Sequence, residues 1–198
     1  MNKKHKIHHP PHLYLDNNIY FVTARTIAKK KYFNTDEKKN LIKRSLIKAL
    51  NKYQFKIYGW VILSNHYHLL LKILKGADLS NFIRYINSRS AVLLRQQQQT
   101  ECQGLALTGR GVSPDTPAKN KQEIWYNYHD RCIRNETDFF KHLNYIHNQP
   151  IKHGYVKNYN HLNEYQFSSF QHYLKSKGQK WLDQCFEDYP IADFSIDE

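Results

Sequence analysis

Two histidines separated by one residue, His66 and His68, and a tyrosine and a glutamine four residues apart, Tyr145 and Gln149, are the side chains whose types and spacing could do chemistry. His66-Tyr67-His68 opens a run of β-forming residues. Side chains alternate across a strand, so the two imidazoles point to one face with Cα atoms about 6.5 Å apart, near enough to reach one metal ion. The competing reading is a pair of exposed or hydrogen-bonded histidines on a polar sheet face. Tyr67, Leu69, Leu71 and Ile73 then pack on the opposite face. Tyr145 and Gln149 fall one turn apart on a helix, which presents a phenol and an amide oxygen together, about 6 Å apart along the axis. Phe139, Leu143 and Ile146 mark the buried stripe of that helix. At about 100° per residue Tyr145 lies roughly 130° from the stripe's centre, which predicts a tyrosine outside the core. The plainer alternative is a half-exposed aromatic in a chain with 15 tyrosines.

The elements that must position these groups follow from local pattern. Ile19 to Ile27 is rich in β-branched and aromatic residues and reads as a first strand. Asn34 or Thr35 can cap a helix that begins with Asp36 and Glu37 and carries Leu41, Ser45, Leu46, Ala49 and Leu50 at helical spacing to about Tyr53. Phe55 to Leu63 and His66 to Ile73, separated by Ser64 and Asn65, read as a hairpin. A second helix is predicted from about Leu79 to Arg95, with Phe82, Ile86, Val92 and Leu93 as its apolar side. Glu123 to Ile133 reads as a last strand, and a third helix runs from about Asp138 to Asn148, with Pro150 stopping it. The order β-α-β-β-α-β, then α, is that of the ferredoxin-like split motif: an α+β, RRM-like antiparallel sheet with helices packed on it.

Around that single domain, residues 14–175, composition sets off three segments. Residues 1–13 form a basic arm expected to be mobile, and residues 96–121, with four consecutive glutamines and scattered Gly and Pro, read as a low-complexity insertion. Residues 176–198 form an acidic tail: after Lys180 there are six acids and no Lys or Arg, so residues 1–180 carry +19. Such an end could lie over a basic site when that site is empty, or could simply be solvated. The whole chain carries +13, from 30 Lys and Arg against 17 Asp and Glu, together with abundant aromatics. Cations neutralise phosphates and flat rings stack on bases, so this balance favours nucleic acid over a basic protein with no polyanionic partner. Cys102, Cys132 and Cys185 are too scattered for a zinc ribbon or a disulfide framework. No signal-like apolar stretch opens the chain and no run approaches the roughly 18 apolar residues of a membrane span, so the expected location is the cytoplasm.

The run Trp60 to Leu71 (WVILSNHYHLLL) resembles the histidine-hydrophobic-histidine motif of the single-tyrosine HUH transposases, and most of all that of the REP-associated tyrosine transposases. Further likenesses follow in order: Tyr20 to Arg25, Trp125 to Arg134, Asn144 to Pro150, Ile151 to Val156, and Phe167-Ser168-Ser169. They cover about residues 14–174 apart from the insertion. The resemblance implies the HUH variant of the ferredoxin-like fold, with His66 and His68 as metal ligands, Tyr145 as nucleophile and Gln149 as third ligand. It implies Mg²⁺ or Mn²⁺ as cofactor, since mixed nitrogen and oxygen donors suit these ions. It also implies cleavage and rejoining of single-stranded DNA near hairpins through a 5′-phosphotyrosine, by a monomer or a homodimer. Two departures are visible: Gln149 stands where the REP-associated branch usually has Asn, and Ser64 where a proline is common. Lys29, Lys30, Lys31, Arg84, Arg89, Arg95, Arg131, Arg134 and Lys152 are candidate DNA phosphate contacts. The main alternative is a non-catalytic hairpin DNA or RNA binder on an RRM-like sheet, which explains charge and aromatics but not the histidine pair with Tyr145 and Gln149. A two-histidine phosphoesterase needs two separated histidine motifs, and one is present.

Overall fold

The computed structural model describes residues 14–107 and 123–194, without the side chains of 101–107. The expected N-terminal arm, residues 108–121 of the expected insertion, residue 122 and residues 195–198 lie outside the described residues. Strands β1 (Ile19–Thr26), β2 (Lys56–Ile62), β3 (His66–Lys72) and β4 (Trp125–Cys132) form one antiparallel sheet in the order β2-β3-β1-β4. Among them lie helices α1 (Asp36–Tyr53) and α2 (Leu79–Leu107), with α3 (Glu136–Lys152) after β4. This is the expected ferredoxin-like arrangement, with β1 and β3 at the centre.

Alternation along β3 divides the two faces. Tyr67, Leu69 and Leu71 are buried toward α1 and α2, where the Tyr67 hydroxyl donates to Asn87 Oδ1 at 2.9 Å. His66, His68 and Leu70 point the other way, toward α3. The two helices inside the split motif therefore share one face and the third takes the other.

Helix α1 starts where the Thr35 hydroxyl accepts from the Lys38 amide at 3.3 Å, and it ends at Gln54 in the left-handed region. Helix α2 runs past the expected boundary at Arg95, through the glutamines, to Leu107. Glutamine is a good helix former, and low sequence complexity does not by itself break a helix. Its buried side is Phe82, Ile83, Ile86 and Leu94, whereas Val92 is 48% exposed, a correction to the predicted stripe. Helix α3 carries Pro150 in its last turn and continues to Lys152, one turn past the predicted stop. The Pro150 carbonyl there accepts from the amides of Tyr155 and Val156 as the chain turns back.

Beyond α3 two further helices, α4 (Phe170–Lys177) and α5 (Gln179–Asp188), were not foreseen. Leu162, Phe170 and Leu182 form a small second core against α3. Part of the expected acidic tail is thus a docked helix. Before α4, the Phe167 carbonyl accepts from Ile62 N and Ser169 N donates to the Trp60 carbonyl, closing the outer edge of β2.

Gly59 marks the closest approach of helix and sheet. A Cβ there would stand 2.8 Å from Leu143 Cδ1 and 3.4 Å from Ile146 Cδ1. Gly59→Ala is expected to cost about 1–3 kcal/mol as the buried leucine is forced aside and α3 is lifted. Thermal melting checks this, and an unchanged melting temperature would show that the interface yields freely.

His147 anchors α3 from its other side: it is fully buried, its Nε2 lies 3.0 Å from Ser169 Oγ, and its ring rests on Phe170 and Tyr173. Burial pulls its imidazole from 6.5 down to about 3, and burial lowers His142 in the same direction. The unfolded chain gains a proton at this imidazole near pH 6.5 while the folded chain stays neutral down to about 3. Stability should therefore fall as pH drops through that window, by roughly 2 kcal/mol from His147 alone at pH 5. Melting curves at pH 7 and pH 5 should show a smaller drop for His147→Gln than for wild type; equal drops would acquit His147.

Candidate active site

The two histidines of β3 lie beneath α3, 4% and 1% exposed for His66 and His68. Their ring centroids are 5.0 Å apart. Each is oriented through Nδ1: His68 Nδ1 lies 2.7 Å from Thr23 Oγ1 on β1, and His66 Nδ1 lies 2.8 Å from Asn65 Oδ1 in the hairpin turn. The Asn65 amide oxygen can only accept, which selects the His66 tautomer with hydrogen on Nδ1 and leaves the Nε2 lone pair for the site; the Thr23 hydroxyl holds His68 Nδ1 on the same pattern when it accepts. Both Nε2 atoms are buried.

Helix α3 and the residue that caps its C-terminus bring three side chains at four-residue spacing across this pair. The Tyr145 ring lies edge-on to His68 at 5.4 Å, and the His153 ring lies 4.8 Å from His66. Gln149 sits midway between them along the helix, fully buried, with neither its amide oxygen nor its amide nitrogen hydrogen-bonded. A buried primary amide without partners is costly, which marks it as a group shaped for something else to satisfy. Two imidazole nitrogens and one amide oxygen suit a divalent ion such as Mn²⁺ or Mg²⁺, so the residues present fit the metal expected here. Among the described residues no cluster of three His, Cys, Asp or Glu side chains offers a metal site of another kind.

Tyr145 is 1% exposed, against the expectation of a tyrosine outside the core. The stripe reading counted only the side facing the sheet, whereas α3 is also covered by residues after it. Phe194 rests on Tyr145 at 5.4 Å, and Phe21 of β1 lies 5.9 Å away on another side. Lys152 holds its ammonium 5.5 Å from the Tyr145 ring centroid and pairs with Asp193 at 3.3 Å. Asp193 and Phe194 thus lie against Tyr145 and Lys152.

The candidate phosphate contacts separate by position. Lys152 is at the tyrosine, and Arg131, opposite Phe21 in the register, lies on the same face of the sheet. Lys29, Lys30 and Lys31 are exposed in the loop after β1, where Asn65 Nδ2 donates to the Lys29 carbonyl at 3.1 Å, beside His66. Arg84 and Arg95 line a groove of about 650 Å³ between α2 and β4, and Arg89 is on the same helix, all on the other face of the sheet. Arg134 follows β4, with its amide donating to Asp138 Oδ2 at 3.1 Å.

Thr23, Asn65, His153 and Phe194 were missed in the sequence. The recurrence 145, 149, 153 could have flagged His153, whereas Thr23 needs the β1–β3 register and Phe194 needs the tertiary fold.

Ser64, where the resemblance leads one to expect a proline, accepts from the Tyr155 hydroxyl at 2.6 Å, and its amide donates to the same hydroxyl at 3.0 Å. Side-chain and backbone bonds thus steady the turn that a proline ring would stiffen.

Comparison with known proteins agrees with this geometry. The family model described as "Transposase IS200 like" matches residues 15–108. A REP-associated tyrosine transposase of Escherichia coli is 25% identical over 187 residues, covering 93% of each chain. A relative from Haemophilus influenzae, named for the same group, is 26% identical over 163 residues, covering 80% of this chain and 83% of its own. In fold, the chain is similar to a REP-associated tyrosine transposase solved bound to a REP hairpin, with TM-score 0.64, 22% identity, and 87% of this chain and 88% of that one covered. The chain is thus similar to the IS200-like transposases over residues 15–108 and to REP-associated tyrosine transposases over most of its length, a likeness that supports a DNA transposase.

Proposed function

We propose that this transposase cleaves and rejoins single-stranded DNA beside hairpins, with Tyr145 as nucleophile and His66, His68 and Gln149 holding Mg²⁺ or Mn²⁺. The observation that carries the reading is the placement of Tyr145 against His68, with the unsatisfied Gln149 amide one turn further along the same helix. A hairpin substrate is supported by the structural relative, which was solved bound to a REP hairpin.

When bound, the ion supplies positive charge to the scissile phosphate's oxygens. The protein's own groups do the rest. The Tyr145 hydroxyl attacks phosphorus; a bond forms between phenolic oxygen and phosphorus, and the bond to the 3′-oxygen breaks. Net, the phenolic proton passes to that 3′-oxygen, leaving a 5′-phosphotyrosine and a free 3′-hydroxyl. The phosphodiester energy stays in the covalent link, so a 3′-hydroxyl can reverse the step and join strands without ATP. Lys152, beside the phenol, is placed to steady both the developing phenolate and the phosphate. Lys29, Lys30, Lys31 and Arg131 are assigned to the strand leading into the site, since they border it on the same side. Arg84, Arg89, Arg95 and Arg134 would serve DNA lying elsewhere on the protein.

All four site residues come from one chain, so a monomer suffices for cleavage. Among the described residues no helix is long and apolar enough to cross a membrane, and the cytoplasm, where the DNA lies, is the proposed place of action.

The test uses a hairpin oligonucleotide with a single-stranded extension, labelled at its 3′ end, with Mn²⁺. Wild type should form a covalent protein–DNA adduct. Tyr145→Phe should bind the hairpin within about twofold of wild type but give no adduct, while His68→Ala and Gln149→Ala should lose at least about tenfold in adduct rate. Equal labelling of wild type and Tyr145→Phe would remove Tyr145 from its role.

A further inference from the structure

Helix α3 ends in a fixed way beside the β3 histidines. The His153 amide donates to the Gln149 carbonyl at 3.0 Å, and Gly154 follows at φ 71°, in the left-handed region that reverses the chain. Next, the Tyr155 amide donates to the Pro150 carbonyl, and the Tyr155 hydroxyl is bonded to Ser64 in the hairpin turn. The backbone of His153 is therefore pinned on both sides, although the residue itself is exposed. Its ring is set edge-on against His66, with centroids 4.8 Å apart and planes 66° apart.

Four rings then run in a row: Tyr145 against His68 at 5.4 Å, His68 against His66 at 5.0 Å, and His66 against His153. Tyr145 and His153 hold the two ends, about 12 Å apart along the helix axis, with Gln149 between them. Attack on phosphorus is in line, so the leaving oxygen departs on the side away from the nucleophile. A phosphate centred on Gln149 and the two β3 imidazoles, with the phenol at its Tyr145 side, thus turns its 3′-oxygen toward His153. Asn65 and Tyr155, the neighbouring polar side chains, are turned to His66, the Lys29 carbonyl and Ser64, whereas His153 is exposed where a strand would pass. An imidazole carries an N–H in either neutral tautomer.

We infer that His153 is a further catalytic residue, donating an N–H hydrogen bond to the 3′-oxygen as its bond to phosphorus breaks. The inference rests on the reading of Tyr145 as nucleophile, which fixes the side on which the oxygen leaves. The balance of the step is unchanged. The bond between phenolic oxygen and phosphorus forms, the bond to the 3′-oxygen breaks, the phenolic proton passes net to the 3′-oxygen, and the imidazole keeps its own hydrogen. The N–H bond is strongest when negative charge gathers on that oxygen, which is how a group speeds a step rather than tightening binding. On rejoining, the same contact orients the attacking 3′-hydroxyl.

The test uses full-length protein, Mn²⁺ and the 3′-labelled hairpin oligonucleotide in two forms, one ordinary and one with sulfur in place of the bridging 3′-oxygen at the cut. A thiolate leaves without a donor's help, since a thiol has a pKa of about 8.5. His153→Ala should form adduct about a hundredfold more slowly than wild type on the ordinary strand, the worth of one preorganised donor. On the sulfur strand the two proteins should agree within about threefold, because the donor is no longer needed. Mn²⁺ affinity, read from the EPR signal of the free ion, should be the same in His153→Ala as in wild type. An equal loss on both strands, or weakened Mn²⁺ binding, would show that His153 supports the fold or the ion instead, and would overturn the assignment. Tyr145→Phe on the same strands separates the two readings. Adduct from that variant sinks the nucleophile, whereas its silence, with no sulfur rescue of His153→Ala, sinks His153 alone.

Discussion

Helix α3 lies so close to β2 that a methyl group at position 59 would collide with Leu143, and the site's geometry depends on that approach. Leu143 and Ile146 seat on Gly59 and Leu70, which fixes the rotation of the helix about its axis. With those two residues against the sheet, the flank of the helix carrying Tyr145, Gln149 and His153 is turned over β3, where the rows of His68 and His66 begin. A larger residue at position 59 would move three side chains at once, since they are rigidly spaced along one helix. Small residues at helix–sheet contacts usually matter for packing; here the packing sets a distance between a phenol and an imidazole.

The same precision is imposed from the sheet side by hydrogen bonds to the histidines. Thr23 fixes His68 and Asn65 fixes His66, each from a different piece of backbone. Asn65 in turn reaches back to the Lys29 carbonyl, so the turn holding one imidazole is tied to the basic loop after β1. Tyr155 secures Ser64 at the other side of that turn, and its ring contributes to a group of aromatics around the buried Lys39 ammonium, with Tyr165 and Phe167. The segment leaving α3 is therefore bound to α1 and to the hairpin together. Metal-binding imidazoles commonly depend on such outer partners for tautomer and orientation.

Much of this was legible in the sequence because strands obey a strict rule. Alternation alone puts His66 and His68 on one face and Tyr67, Leu69 and Leu71 on the other, and no tertiary detail can change that. Helix faces are less binding. The stripe of Phe139, Leu143 and Ile146 correctly found the side of α3 that meets the sheet, but a helix can be covered on several sides. Eight residues of α3 are buried, including Tyr145. What covers the rest comes from Ser169 and α4, from α5, and from the segment after it. The glutamine run misled in the opposite sense: compositional bias suggested a loop, while the intrinsic preference of glutamine allowed α2 to continue. Thr23 and His153 were hidden for a plainer reason, since their roles exist only once register and helix placement are known.

The covering of Tyr145 raises the question of how firmly the site is closed, and the contacts themselves answer it. The Asp193–Lys152 pair is exposed, with 71% of the aspartate side chain open to solvent, so it contributes little net stability and less at physiological salt. Phe194 supplies the main hold, a single half-buried ring stacked on a histidine. One such contact is comparable to what a single stacked base gains, and a DNA strand brings several phosphates besides. The phenol and the histidines are therefore covered through one stacked ring and one solvent-exposed ion pair, a weak hold. Because the closing group is covalently attached, its local concentration is high and does not vary with protein level.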